Sequence, residues 1–235
     1  MIGRIRAKGH LFSINHDKPN IPWRYALPEI DCMEVWHAPW PSGNNISLKR
    51  YQARLSKGQR ITAVGGSDFH QPAVADIRNL ATLARPCTFL FCEELSIEGI
   101  LDALSKGRSF VTESPDGPRL VLNVGDIGHG GEIAGAKTIS LAYHATDVAG
   151  DILEIWDATG CIATAPIINT QERGVLELTG ACGFLRGQII AGNSRDTIVS
   201  AAQAHIAAGK GGRLDWSNAL DQPVLRSLTS PIYLV

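Results

Sequence analysis

Near residues 113–118, Glu-Ser-Pro-Asp-Gly-Pro, the chain changes its period. Upstream, short β-branched runs alternate with helical stretches. Downstream, apolar residues recur at every second position (Leu120, Leu122, Val124; Ile139, Leu141, Tyr143, Ala145) between Gly- and Asp-rich turns. A β-α-β alternation calls for a largely parallel sheet, and period-two segments at this spacing call for antiparallel strands. The break therefore predicts an α/β part over residues 1–113 and a small antiparallel β-sandwich over residues 118–235.

Local signals place the elements. His10–Asn15, Met33–Trp36, Ile61–Val64, Thr88–Cys92 and Ser109–Thr112 read as strands. Leu48–Lys57 reads as a helix stopped at Gly58. Ser96 caps a second helix with apolar positions Ile97, Ile100, Leu101 and Leu104. Leu95 and Ile100 stand where a hydrophobic staple would pack, and Gly107 ends that helix. In the second part, Ile152–Trp156, Gly174–Leu178, Phe184–Ala191 and Pro231–Val235 are further strand candidates. Ser200–Ala208 is alanine-rich and fits either a short helix or a long loop. Residues 1–9 carry three cations ahead of a glycine, as in the last turns of a helix, with no cap before them.

The densest chemistry lies in residues 61–70, ITAVGGSDFH. A β-branched run gives way to Gly65-Gly66 and then to Ser67, Asp68, Phe69 and His70. In extended chain, residues two apart project to one side. Asp68 and His70 can therefore meet at a strand's C-terminal end, where parallel α/β folds carry their sites. A carboxylate and an imidazole converging this way suit a divalent transition metal. The same residues also fit an Asx-type turn beside an unrelated histidine.

The surrounding text favours the metal. GSDFH after a hydrophobic strand resembles the last metal-binding motif of the PHP (polymerase and histidinol phosphatase) superfamily, nearest its carbaryl-hydrolase-like branch. HLFSINHDKP, residues 10–19, resembles that family's "INHP" strand, with His16 in the ligand position and Asp17 where proline is usual. IDCMEVWH, residues 30–37, SIEGILDALSKGRSFVT, residues 96–112, and the ending SPIYLV resemble later segments, in the family's order. The resemblance implies a PHP-type (β/α) barrel with His16, Asp68 and His70 as metal ligands. It also implies hydrolysis of a phosphoester, ester or carbamate by metal-activated water, with zinc, manganese or iron as the ion and a small molecule as substrate.

One half of the family pattern is missing. PHP enzymes open on an H-x-H pair, and none of the seven histidines here stands two residues from another. The barrel expected is therefore partial, and the chain reads as the C-terminal part of a larger ancestral protein. The three carried-over ligands would hold fewer ions than a complete PHP site, with missing ligands supplied by an upstream partner chain or a second copy. An incomplete barrel exposes sheet edges, which favours self-association. The opposing reading is a non-catalytic binding protein, or a truncated remnant with a degenerate metal site.

Several neighbours are candidates for the same opening. Asn15 and Ser67 could orient the ligands from behind. Glu34 sits mid-strand, an awkward place for a solvated carboxylate, and either lines the pocket or bonds a neighbouring strand. Trp36, His37 and Trp40 form either an aromatic wall or ordinary packing. His129, His144 and His205 lack partners in the β part and read as structural or exposed. Gly128–Gly131 has no P-loop spacing.

Composition bounds the rest. Net charge is −1 in 235 residues, and no basic face with stacking aromatics is seen, so neither nucleic acid nor an anionic membrane is expected as partner. No apolar run spans a bilayer. The five cysteines are scattered without C-x-x-C, which fits buried thiols in a reducing, cytoplasmic compartment.

Overall fold

A computed structural model describes residues 3–4, 7–18, 29–69, 83–207 and 222–235. His70, expected as a metal ligand, lies outside these residues. At the N-terminal end, the Ala7 N–H donates to the Gly3 carbonyl at 3.0 Å, and Gly9 follows at φ +78°.

Three parallel strands come first: β1 (Ser13–Ile14), β2 (Cys32–His37) and β3 (Thr62–Gly66), in the order β1-β2-β3. Helix α1 (Asn44–Leu55) connects β2 to β3 and buries Ser47, Tyr51 and Leu55, a 4-4 spacing that turns one stripe inward. Gly58, at φ +79°, follows its end.

The expected α/β barrel is not formed, because β3 takes no further parallel neighbour and the rest of the fold is β-rich and mostly antiparallel. β4 (Cys87–Leu90) and β5 (Ser109–Thr112) pair antiparallel with each other, and β5 pairs antiparallel with β13 (Leu225–Thr229). The far edge of β3 is satisfied by hydroxyls instead. Thr88 Oγ1 accepts from the Gly65 N–H at 2.8 Å and donates to the Gly65 carbonyl at 2.9 Å. Ser230 Oγ accepts from the Ala63 N–H, and Ser109 Oγ donates to the Ala63 carbonyl, both at 3.0 Å. Backbone groups buried at a sheet edge need partners, and side chains supply them here without a fourth parallel strand. Gly65 admits this close approach, since a Cβ there would stand 2.5 Å from Val111 Cγ1.

The remaining chain is β-rich. β4 and β5 extend a sheet of order β10-β9-β12-β13-β5-β4, with β14 (Ile232–Leu234) on β12 and β7 (Glu132–Ile133) on β14. Here β9 is Ile152–Asp157, β10 Gly160–Pro166 and β12 Phe184–Ile190. A second antiparallel sheet, β11-β8-β6, comprises β6 (Arg119–Asn123), β8 (Thr138–Thr146) and β11 (Gln171–Thr179). The two sheets share a core of Leu120, Leu122, Leu141, Leu153, Ile155, Leu185 and Ile189. A separate core joins Ile14, Met33, Tyr51 and Ile61 to Val111, Phe184, Leu225 and Leu228, fastening the parallel sheet to the larger one.

Helix α2 (Ile97–Ser105) starts at Ser96, whose side chain accepts from the Gly99 N–H at 3.0 Å. The staple of Leu95 on Ile100 is not made: Leu95 is 92% exposed and Ile100 36%. The alanine-rich segment is helical as far as Ala207, within α3 (Arg195–Ala207). No helix among the described residues is long and apolar enough to cross a membrane.

Candidate metal centre

The C-terminal ends of β1, β2 and β3 lie side by side, and each is followed by a residue in the left-handed region. These are His16 at φ +58°, Ala38 at φ +56° and Asp68 at φ +51°. The conformation costs a non-glycine residue roughly 1 kcal/mol or more. Three such residues at one sheet edge turn the chain sharply and aim side chains back over the strand ends.

His16, His37 and Asp68 meet there, each offering a ligand atom within 4.8 Å of the others. His37 Nε2 lies 2.9 Å from Asp68 Oδ2. The contact is off the hydrogen-bond direction, so this buried nitrogen has no hydrogen-bond partner among the described residues. The His16 and His37 rings stand 4.1 Å apart at 60°. Ligand atoms ~2.1 Å from one ion are at most ~4.2 Å apart, so the group fits a single divalent ion after closing by about half an ångström. Two imidazoles and a carboxylate suit zinc, manganese or iron.

Glu34 orients His16. Its Oε2 lies 2.7 Å from His16 Nδ1 and accepts the His16 backbone N–H at 2.9 Å. Nδ1 is thereby taken, and Nε2 is left as the ligating nitrogen, the carboxylate–histidine arrangement common behind metal ligands. A break in β2 register makes this possible. Glu34 pairs with Val64 and Trp36 with Gly65, so Val35 is an extra residue. In a regular strand Glu34 and His37, three apart, would face opposite ways; the bulge lets both reach His16.

Lys18 orients His37. It is 3% exposed, and its Nζ lies 2.9 Å from His37 Nδ1, 3.1 Å from the His37 carbonyl and 2.9 Å from the Ser42 carbonyl. An ammonium has three protons and accepts nothing, so those contacts use its donors and make His37 Nδ1 an acceptor. Burial pushes the Lys18 pKa down to about 8, against the raising influence of Glu34 and Asp68. Burial, and next the Lys18 charge, hold the His37 imidazole below its ordinary value. With Nδ1 accepting from Lys18, a neutral ring carries its proton on Nε2, so an ion taken by Nε2 displaces that proton while the proton shared with Lys18 passes to Nδ1. Behind His37, the fully buried Asn44 accepts from the His37 N–H at 2.8 Å and donates to the carbonyls of His37, Pro39 and Trp40.

Of the residues singled out in the sequence, the structure brings together His16 and Asp68 with Glu34 and His37. Asn15 is exposed and accepts the Ser13 hydroxyl at 2.7 Å. Ser67 makes no hydrogen bond to the cluster among the described residues. Trp36 packs edge-on against Trp40 at 5.1 Å, leaving His37 out of any aromatic wall. Lys18 was the residue missed: a cation two positions past His16 shares its side of extended chain, the one signal that pointed to it. His129 is structural, taking the Leu122 N–H on Nε2 at 3.0 Å and facing the Ser109 carbonyl with Nδ1 at 2.9 Å.

No protein-family model matches the chain, and neither a curated protein nor a solved structure does.

Proposed function

We propose that the chain is a metal-dependent hydrolase of a phosphoester, ester or carbamate, with one divalent ion held by His16, His37 and Asp68. The reading is carried by the convergence of these side chains, within 4.8 Å, at the ends of three parallel strands that each turn through a left-handed residue. When bound, such an ion supplies a Lewis acid and an activated water. The chain's own contribution is positional. Glu34 fixes the His16 ring and leaves its Nε2 outward, and Lys18 and Asn44 fix the His37 ring and backbone. Because the close contacts of Lys18 use its three donors, it is a positioning residue and has no proton left for substrate.

A second reading, a non-catalytic binding protein, draws on the same network, since Glu34 and Lys18 already partner both imidazoles without an ion. Metal content after loading with zinc or manganese and desalting separates the two, followed by hydrolysis of bis-p-nitrophenyl phosphate and p-nitrophenyl acetate. The hydrolase reading expects about one ion per chain and metal-dependent turnover, both lost in His37→Ala and Asp68→Ala. Protein that retains no metal, or turnover that is unchanged in both variants, overturns it.

A further inference from the structure

Arg186, on β12, is the largest fully buried side chain among the described residues, at 1% exposure. A buried guanidinium needs both hydrogen bonds and a counter-charge. Its Nε donates to Gln52 Oε1 at 2.9 Å and its Nη1 to Gln188 Oε1 at 2.8 Å. Both acceptors are neutral. No carboxylate forms an ion pair with Arg186 among the described residues, and Nη2 has no hydrogen-bond partner there. The guanidinium lies over the Trp156 ring at 5.0 Å. Burial pushes its pKa down to about 10, so it stays charged at neutral pH.

This cation, with Glu154 as a counter-charge bridged through Gln188, lines a cavity of about 240 Å³ between α1 and the β9–β12 sheet. The walls are mainly apolar, formed by Trp40, Leu48, Trp156 and Ile190, with Lys49 at the rim. Glu154 is the one carboxylate in the lining, and its Oε2 accepts from Trp156 Nε1 at 2.9 Å and Gln188 Nε2 at 2.7 Å. Glu154 offsets Arg186, so the one positive charge in excess belongs to the exposed Lys49 at the rim. An apolar cavity of roughly 150 Å³ takes benzene, so this one has room for a ring or branched alkyl group together with a carboxylate.

We infer that this cavity is a binding site for a small organic monocarboxylate, its apolar body between Trp40 and Trp156 and its carboxylate on Arg186. The site is separate from the His16–His37–Asp68 cluster and stands whether or not that cluster holds a metal. The Gln188 bridge explains how Glu154 tolerates the ligand: it keeps the acid at one remove from Arg186 and leaves Nη2 for the incoming anion.

Calorimetric titration of the full chain with phenylacetate and with isovalerate tests the site, using phenylacetamide as the uncharged control. At least one acid is expected to bind saturably at one site per chain, with the amide at least tenfold weaker. Arg186→Gln is expected to abolish binding. Leu48→Phe, at a half-buried helical position that narrows the cavity without touching a charge, is expected to weaken it at least tenfold, and it decides the matter if Arg186→Gln does not fold. No saturable binding of either acid, equal binding of acid and amide, or wild-type affinity in Leu48→Phe overturns the inference.

Discussion

Glu34 Oε2 takes both the ring nitrogen Nδ1 of His16, at 2.7 Å, and the His16 backbone N–H, at 2.9 Å. One oxygen thus fixes the rotation of the imidazole and the left-handed turn that carries it. Glu34→Gln keeps the shape and removes the charge, and its effect on zinc affinity is expected to be a 10–100-fold loss. Competition titration against a chelating dye measures it. Glu132→Gln, which removes an exposed partner of Arg60, is the control expected to leave affinity unchanged.

Asn44 is fully buried and ties four backbone groups of the β2–α1 connection. Alanine there strands the His37 N–H and the Trp40 carbonyl away from water, while Lys18 and Ser42 still serve the His37 and Pro39 carbonyls. A buried donor or acceptor left unmade costs about 1–3 kcal/mol, so Asn44→Ala is expected to lower stability by roughly 3 kcal/mol once partial relaxation is allowed. Urea unfolding followed by circular dichroism reads the change, and a loss below ~1 kcal/mol would show that water replaces the amide.

Two glycines separate steric from conformational demand. A Cβ on Gly65 meets Val111 Cγ1 at 2.5 Å and the Trp36 carbonyl at 3.0 Å, whereas one on Gly58 meets nothing within 4 Å. Gly58→Ala carries only the left-handed penalty of roughly 1 kcal/mol. Gly65→Ala is expected to cost about 1–3 kcal/mol through overpacking and also to displace Asp68, weakening zinc binding. Metal affinity unchanged in Gly65→Ala would separate β3 from the site.

His129 gives the fold a defined pH response. Burial pushes its pKa down to about 4, against an ordinary value of 6.5. As pH falls below 6.5 the unfolded chain takes up a proton that the folded chain refuses until about pH 4, so stability is full above that window and declines through it. This group alone is expected to remove about 2 kcal/mol between pH 7 and pH 5. His129→Gln keeps an acceptor for the Leu122 N–H and a donor for the Ser109 carbonyl, and its urea midpoint should fall less over the same interval. Parallel pH dependence in the two proteins would remove His129 from the account.

Strand positions were legible wherever apolar residues alternate, as in β6, β8 and β9, and where β-branched runs end in glycine, as in β3. β10, Gly-Cys-Ile-Ala-Thr-Ala-Pro, was not, because its small residues carry little period-two signal at the edge of a sheet. Pairing direction was the larger gap. Thr88–Cys92 and Ser109–Thr112 read as strands in an α/β context, and nothing local says that β5 will take β13, more than 100 residues on, as its neighbour. At the site, Asp68 and His16 were singled out by resemblance to a family motif, while the spacing that paired Asp68 with His70 falls outside the described residues. His37 was read with Trp36 and Trp40, as an aromatic wall of the opening or as packing; a regular strand would put it opposite Glu34, and the bulge at Val35 reverses that without a mark in the sequence.

Hydroxyls in place of a fourth parallel strand have a mechanical consequence. A backbone ladder shears only as a unit, but the contacts of Ala63 and Gly65 with Thr88, Ser109 and Ser230 break and re-form singly. The strand that delivers Asp68 is therefore expected to tilt against the antiparallel body by rotating three side chains, with every sheet left intact. Amide exchange at Ala63 and Gly65 reports the frequency of that tilt, and the choice of serine or threonine at three positions sets its stiffness.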